Sequence, residues 1–236
     1  MTQNDDIIWD KDDIVIQYKA DKHIKFFGDI TELNGGPYSD ITVKVKYDNY
    51  INGIGTYVIT SNSNEFYTFT NLVGYINDTP FVGYIGLVVN TEGDIIYPTD
   101  DTLAVITEIT ILNGGINMYL FNHYSNFVKK ITVKSNNFNI IPSSWCIDYS
   151  SLEEIELGEG VTDIGYYAFK QNPNLKRITL PTSIKFINSS ILVGASNVEI
   201  IYLGTKDQWD NINKEERWNL NNNAIIVHCI DGDIEL

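Results

Sequence analysis

Apolar and polar residues alternate in short stretches along the first hundred positions. Ile41 to Tyr47 reads Ile-Thr-Val-Lys-Val-Lys-Tyr, a strict two-residue period. That period puts every second side chain on one face, so the spacing predicts a half-buried strand. Ile14 to Tyr18, Ile24 to Phe27, Thr56 to Thr60, Glu65 to Thr70 and Ile95 to Tyr97 read as further strands. An Asn52-Gly53 pair precedes Thr56, and such a pair supplies the positive φ angles of a tight hairpin turn. Phe81 to Val89 is apolar on both faces, which predicts a central strand. Six or seven such strands predict a small antiparallel β-sandwich over residues 1–101. The clearest breaks are Gly35-Gly36-Pro37 and Pro98 to Asp101, and the second is the expected domain boundary.

The pattern changes after that point. Residues 152–174 and 175–197 align position by position over 23 residues each. Leu152, Ile155, Leu157, Val161, Ile164 and Phe169 of one copy match Leu175, Ile178, Leu180, Ile184, Ile187 and Leu192 of the next. Val198, Ile201 and Leu203 open another turn. Val128, Ile131 and Val133 start a copy upstream, continued by Phe138, Ile141 and Cys146 after one inserted residue. A shorter copy begins at Ile106, with Ile109 and Ile111. In Leu-x-x-Ile-x-Leu the last two apolar residues are two apart and share one face of a strand. The later Ile-x-x-Ile pair and the aromatic point back to the same interior from the returning limb. One repeat cannot bury its apolar side alone, so the copies stack into a solenoid with a parallel sheet. Asn174 and Asn197 close their repeats, where a side-chain amide can bond turn backbone.

Leu175-Lys-Arg-Ile-Thr-Leu-Pro-Thr-Ser-Ile-Lys-Phe-Ile187 resembles the BspA-type leucine-rich repeat, and Ile164 to Ile178 resembles its segment running into the next repeat. Tyr202 to Thr205, Gln208-Trp209 with Ile212, and Val227 to Ile234 resemble the terminal cap of such arrays. The resemblance covers about residues 105–236. It implies repeats over 102–205 and a cap over 206–236, with Trp209, Ile212, His228 and Cys229 as structural cap residues. Lys206 to Trp218 reads as one short helix carrying Trp209 over the open end of the solenoid.

Composition sharpens this picture. The chain has 35 Ile and 26 Asn but only 5 Ala, which favours strands and turns over helices. The formal net charge of −15 argues against nucleic acid or an anionic membrane surface as the partner. The longest apolar run, Phe81 to Val89, is far short of the roughly 20 residues needed to span a bilayer. An acidic start at Met1 with no apolar core after it predicts a protein kept in the cytoplasm or released without a cleaved leader.

Candidate chemistry is sparse. Cys146 takes an apolar repeat position and reads as a buried small hydrophobe; a disulfide to Cys229, in a different repeat, is not expected. His228 and Cys229 are adjacent in a strand, so they face opposite sides and make no site together. His23 and His123 lack metal-ligand spacing. Asp5-Asp6, Asp10 with Asp12-Asp13, and Asp100-Asp101 lack the spaced pattern of a calcium loop and read as solvated charge. No catalytic, cofactor or metal motif emerges, so no enzyme and no cofactor are expected.

One surface stands out. Between the core positions of successive repeat strands lie Thr110, Thr132, Glu156, Thr179 and Tyr202, and one step earlier Glu108, Lys130, Glu154, Arg177 and Ile200. If the strands stack in register, the earlier row alternates in sign, a self-neutralising solvated face or a recognition surface. A β-domain joined to a capped repeat array is the build of an interaction or assembly protein. The leading expectation is a bacteriophage virion subunit (fibre, tail or head decoration) with other protein subunits, itself included, as partners. The alternative is a cell-surface adhesin or glycan- or protein-binding module of a gut bacterium.

Overall fold

A computed structural model describes residues 7–11, 13–23, 43–61, 73–76, 79–82, 88–89, 95–96, 105–115, 118, 125–220 and 226–236 of the chain. The expected strands at Ile24 to Phe27 and Glu65 to Thr70 lie outside these residues. So do Asp5-Asp6, Asp12, Asp100-Asp101, His123 and the boundary at Pro98 to Asp101.

The repeat pattern becomes a parallel β-solenoid of about 5 turns over residues 108–228. Its principal strands are β8 (Ile106–Asn113), β9 (Lys130–Val133), β11 (Glu154–Leu157), β13 (Arg177–Leu180), β15 (Glu199–Tyr202) and β17 (Ile226–Cys229). Each pairs in parallel with the next. The returning limbs form a second, four-stranded parallel sheet of β10 (Ile140–Ile141), β12 (Asp163–Ile164), β14 (Phe186–Ile187) and β16 (Asn213–Lys214). A column of turns forms the third side. There Ser144, Tyr167, Ser190 and Arg217 all take left-handed φ, and Cys146 and Phe169 donate backbone bonds to Ala168 and Ile191 of the next turn.

The core is the repeat's apolar set. The six matched residues of each 23-residue copy are buried, as are Val128, Ile131, Val133, Phe138, Ile141 and Cys146 upstream and Ile106, Ile109 and Ile111 before them. Each large aliphatic side chain so buried contributes about 1.5–3 kcal/mol relative to exposure. Asn172, fully buried, ties neighbouring turns together: its amide donates to the Cys146 and Phe169 carbonyls at 3.0 and 2.9 Å and accepts from the Tyr149 N–H at 2.8 Å. Asn174 makes the turn bond expected of it, to the Ser150 carbonyl at 2.6 Å. At Gly165 a Cβ would come within 2.5 Å of the Ser143 nitrogen, so only glycine lets adjacent turns stack this closely there.

The solenoid's sheet does not stop at β8. Strands β1 (Ile14–Ala20), β3 (Ile54–Ser61) and β2 (Val43–Ile51) add to it antiparallel, giving ten strands ordered β18-β17-β15-β13-β11-β9-β8-β1-β3-β2, with β18 at Gly232–Glu235. Asn52 and Gly53 turn the β2–β3 hairpin with φ of 53° and 82°, as the sequence predicts. On the core side Tyr18 stacks between Tyr50 and Tyr57, with centroids 6.5 and 5.6 Å away. The described strands thus show antiparallel pairing within residues 1–101, but they do not show a separate two-layered sandwich. The edge of the first parallel turn offers unpaired backbone groups, and β1 satisfies them. Of the run Phe81 to Val89, expected as one central strand, residues 83–87 lie outside the described residues and the described ends fall in two strands. Thr79–Val82, strand β5, pairs with β4 (Val73–Ile76), and β6 (Val88–Val89) pairs with β7 (Ile95–Ile96), each in a two-stranded sheet.

The C-terminal end is closed by the expected cap residues in a different local structure. Helix α1 spans only Lys206–Asp210. Thr205 starts it with a capping box: its hydroxyl accepts from the Gln208 N–H at 3.2 Å, and Gln208 Oε1 accepts from the Thr205 N–H at 2.8 Å. The chain then enters β16, because Asn213 and Lys214 continue the second sheet beyond Phe186 and Ile187. Trp209 and Ile212 are buried over the last turn, with Trp209 set edge-on to Tyr202 and Trp218. Strand β17 is a further parallel strand whose Val227 is in the core, and β18 folds back on it antiparallel.

Candidate functional site

The outward face of the ten-stranded sheet carries one continuous register row. From the parallel part, Glu108, Lys130, Glu154 and Arg177 stand opposite one another in successive strands, as the sequence predicts. Thr110, Thr132, Glu156 and Thr179 form the neighbouring row.

The sequence assignment fails one turn later. Ile200 and Tyr202 are 1% and 2% exposed and belong to the core, where they pair in register with Ile178 and Leu180. Glu199 and Ile201 take the outward places opposite Arg177 and Thr179, and Leu203, expected inside, is exposed. The cause is a shortened repeat: Val198 is buried like Leu175, but only one residue, not two, separates it from the next core isoleucine. Burial of two large apolar side chains outweighs a strict 23-residue count.

The row also runs further toward the N-terminus than the repeat does. Lys19 of β1 faces Glu108, with Nζ 2.8 Å from the carboxylate. Across six strands the row therefore reads Lys19, Glu108, Lys130, Glu154, Arg177, Glu199, with strictly alternating charge. Lys130 lies 3.5 Å from Glu154 and 3.1 Å from Glu156. Arg177 bridges Glu154 at 3.4 Å and Glu199 at 3.6 Å. All six side chains are between 36% and 59% exposed, so each pair contributes about 0–1 kcal/mol and remains open to a partner. The Glu156 carboxylate holds the Lys130 ammonium above its ordinary value against the opposing pull of desolvation, with Glu154 adding to the effect. Beside the row, Lys176 bonds Glu153 at 2.6 Å, so the Glu153-Glu154 pair is engaged in cross-strand ion pairs.

Isoleucines flank the charges at both ends. Ile54 faces Lys19 across β3 and β1, and Ile226 follows Glu199 across β15 and β17. Both are exposed. Farther along β1 and β3, Val15 and Val58 are buried on this side of the sheet. No sequence signal locates Lys19, since its pairing with Glu108 is antiparallel and spans 89 positions.

Elsewhere the candidate residues pair with neighbouring side chains or pack beside the core. His228 Nδ1 lies 2.9 Å from Asp233 Oδ1 in the β17–β18 hairpin. Cys229 packs at the edge of the core, and burial pushes its thiol up, as it does more strongly for Cys146. Both cysteines are free. Asp10 and the buried Asp13 receive Lys46 at 2.7 and 2.8 Å. His23 stacks on Tyr50 and sits 2.6 Å from Asp48. Among the described residues no three His, Cys, Asp or Glu side chains stand together as metal ligands, and no helix is long and apolar enough to cross a membrane.

No curated protein and no solved structure matches the chain. Residues 104–216 match the BspA type leucine rich repeat region, in six copies. Repeats of this kind act as protein-interaction or adhesion modules and are generally non-enzymatic. That match covers a little under half of the chain, and the stacked turns and open charged sheet face of this segment are similar to a BspA-type leucine-rich repeat array.

Proposed function

We propose that the protein is a non-enzymatic interaction module that binds another protein through the outward face of its repeat sheet. The observation that carries this reading is the ordered row of six alternating charges, half-exposed and held in register by the sheet beneath. Such a row presents a rigid, patterned surface. Electrostatic complementarity of this kind sets specificity and orientation more than raw affinity. The isoleucines at either end give the face apolar anchors, and the half-buried Thr110 and Thr179 beside it supply hydroxyls for direct bonds.

The test is capture by the immobilised full chain, comparing wild type with the charge-reversed pair Glu154→Lys and Arg177→Glu and with a variant on another side, Ile140→Ser. A partner held by wild type and the Ile140 variant but lost by the charge reversal supports the face. Equal retention by all three locates binding elsewhere.

The setting proposed is a virion, in which residues 1–101 dock to the particle and the repeats contact neighbours or the host surface. The support is associative: a β-rich docking region joined to a miniature recognition array. Mass spectrometry of density-purified particles against washed cell envelopes decides it. Fixed stoichiometry to a capsid protein supports the virion role. Enrichment in the envelope replaces it with the cell-surface adhesin.

A further inference from the structure

The order of charges along the outward row has a symmetry that a solvated surface does not need. Lys19, Glu108, Lys130, Glu154, Arg177 and Glu199 alternate in sign and are even in number. Reversed, the row is its own electrostatic complement. We infer that the outward sheet face binds a second copy of this chain, face to face, about a two-fold axis parallel to the strands and passing between β9 and β11. This deepens the proposed interaction function by naming the partner.

That axis places Lys130 against Glu154 of the other copy, Glu108 against Arg177, and Lys19 against Glu199. All six cross-pairs are attractive. In the neighbouring row Thr110 meets Thr179, and Glu156 lies over the buried Thr132, so no like charges coincide. Ile54 toward one end meets Ile226 toward the other, both exposed in the single chain, and beyond them Ile51 of β2 lies opposite Glu235 of β18. The alternative two-fold axis, along the row itself, sets every charge against its own copy and is repulsive at all six positions. The face therefore selects one dimer geometry out of two, the isologous arrangement that closes without forming fibres.

Strand spacing of about 4.8 Å spreads the six charges over about 24 Å. The chain's formal charge of −15 opposes association at long range. At an ionic strength of about 0.15 M the screening length is about 8 Å, which damps that repulsion while leaving contacts at ion-pair distance effective. The contact is largely polar and its pairs are partly satisfied within each chain, so the dimer is a weak one whose population rises with concentration.

Sedimentation velocity of the full chain tests this at that ionic strength. Wild type is expected to shift from monomer to dimer as concentration rises, and to revert at about 1 M salt, where screening shortens to about 3 Å. Lys130→Glu and Glu154→Lys each place like charges across the axis and should weaken the dimer by about tenfold or more. Mixed in equal amounts, the two variants restore opposite charges at both positions and should dimerise again. If Lys130→Glu fails to fold, the pair Glu108→Lys and Arg177→Glu carries the same test. A wild type that stays monomeric at its highest soluble concentration overturns the inference. So do single variants that dimerise as wild type does, or a mixture that stays monomeric. A monomer leaves the capture experiment above, and the reading of the face it tests, untouched.

Discussion

The two ends of the solenoid solve one problem in two ways. A stacked array leaves an open sheet edge and an uncovered apolar interior at each end. At the N-terminal end the answer is more sheet: β1 pairs antiparallel with β8, then β3 and β2 follow, and the Tyr18, Tyr50 and Tyr57 rings continue the core. At the C-terminal end the answer is a lid. Trp209 and Trp218 cover the last turn, and only the short β17–β18 hairpin extends the sheet. In both places the chain abandons parallel pairing, and in both the closing residues come from outside the repeat period. The middle is held by redundancy, since every turn has a neighbour on each side. The ends are held by particular side chains.

That contrast predicts unequal sensitivity. Trp209→Ala should be the most damaging change, costing about 3–5 kcal/mol, because a large buried ring that nothing else replaces leaves the terminal turn open. Urea unfolding followed by far-UV circular dichroism measures it, and a loss below about 1 kcal/mol would show that the lid is dispensable. In the middle, Asn172→Ala should cost about 3 kcal/mol despite the redundancy, since the Tyr149 N–H and two carbonyls lose their buried partner. The same unfolding curve reads it.

At the N-terminal end Tyr50→Phe removes one hydrogen bond, 2.9 Å long, to the Ala20 carbonyl and should cost about 1 kcal/mol. Hydrogen exchange at the β1 and β3 amides should speed up while that of β13 stays unchanged. Uniform acceleration would mean that the antiparallel addition and the solenoid unfold as one unit.

The smallest effect belongs to a surface link between two middle turns. Burial tends to raise the Glu159 carboxyl, but bonds from Thr182 and Ser183 of the next turn outweigh it and hold the group below its ordinary value of 4.5. A carboxyl with a lowered folded pKa stabilises fully above the unfolded value and loses that stabilisation as pH falls through the folded one. Glu159→Gln should therefore cost a few tenths of a kcal/mol at neutral pH, given its exposure. The difference from wild type should vanish in acid. A difference that grows on acidification would contradict the assignment.

Much of the middle was legible in the sequence because its period is set by burial. Ile155 and Ile178 recur at the same step, and both lie in the core. The failure at Ile200 and Tyr202 has the same physical origin. A one-residue shortening preserves burial but breaks a count, and the outward row moved to Glu199 and Ile201 with it. Asn172 escaped notice because a buried amide carries no hydropathy signal, whereas its neighbour Asn174 sits at a visible repeat boundary. Lys19 could not be found by periodicity, since its partner is fixed by a sheet contact formed only in the fold. Trp209 and Ile212 were recognisable as a cap, but the end of α1 at Asp210 and the strand that follows depended on the pairing of Asn213 and Lys214 with Phe186 and Ile187.

That the outward face pairs with a second copy is the central claim, and carboxyl footprinting tests it most directly. The full chain would be labelled with a carbodiimide and an amine when dilute and when concentrated, and modification read at each acidic side chain. Glu108, Glu154 and Glu199 should lose reactivity in the concentrated sample, while Glu159 and Glu215, away from the row, keep theirs. Equal reactivity at all five positions under both conditions, or protection confined to Glu159 and Glu215, would contradict the pairing of this face with a second copy.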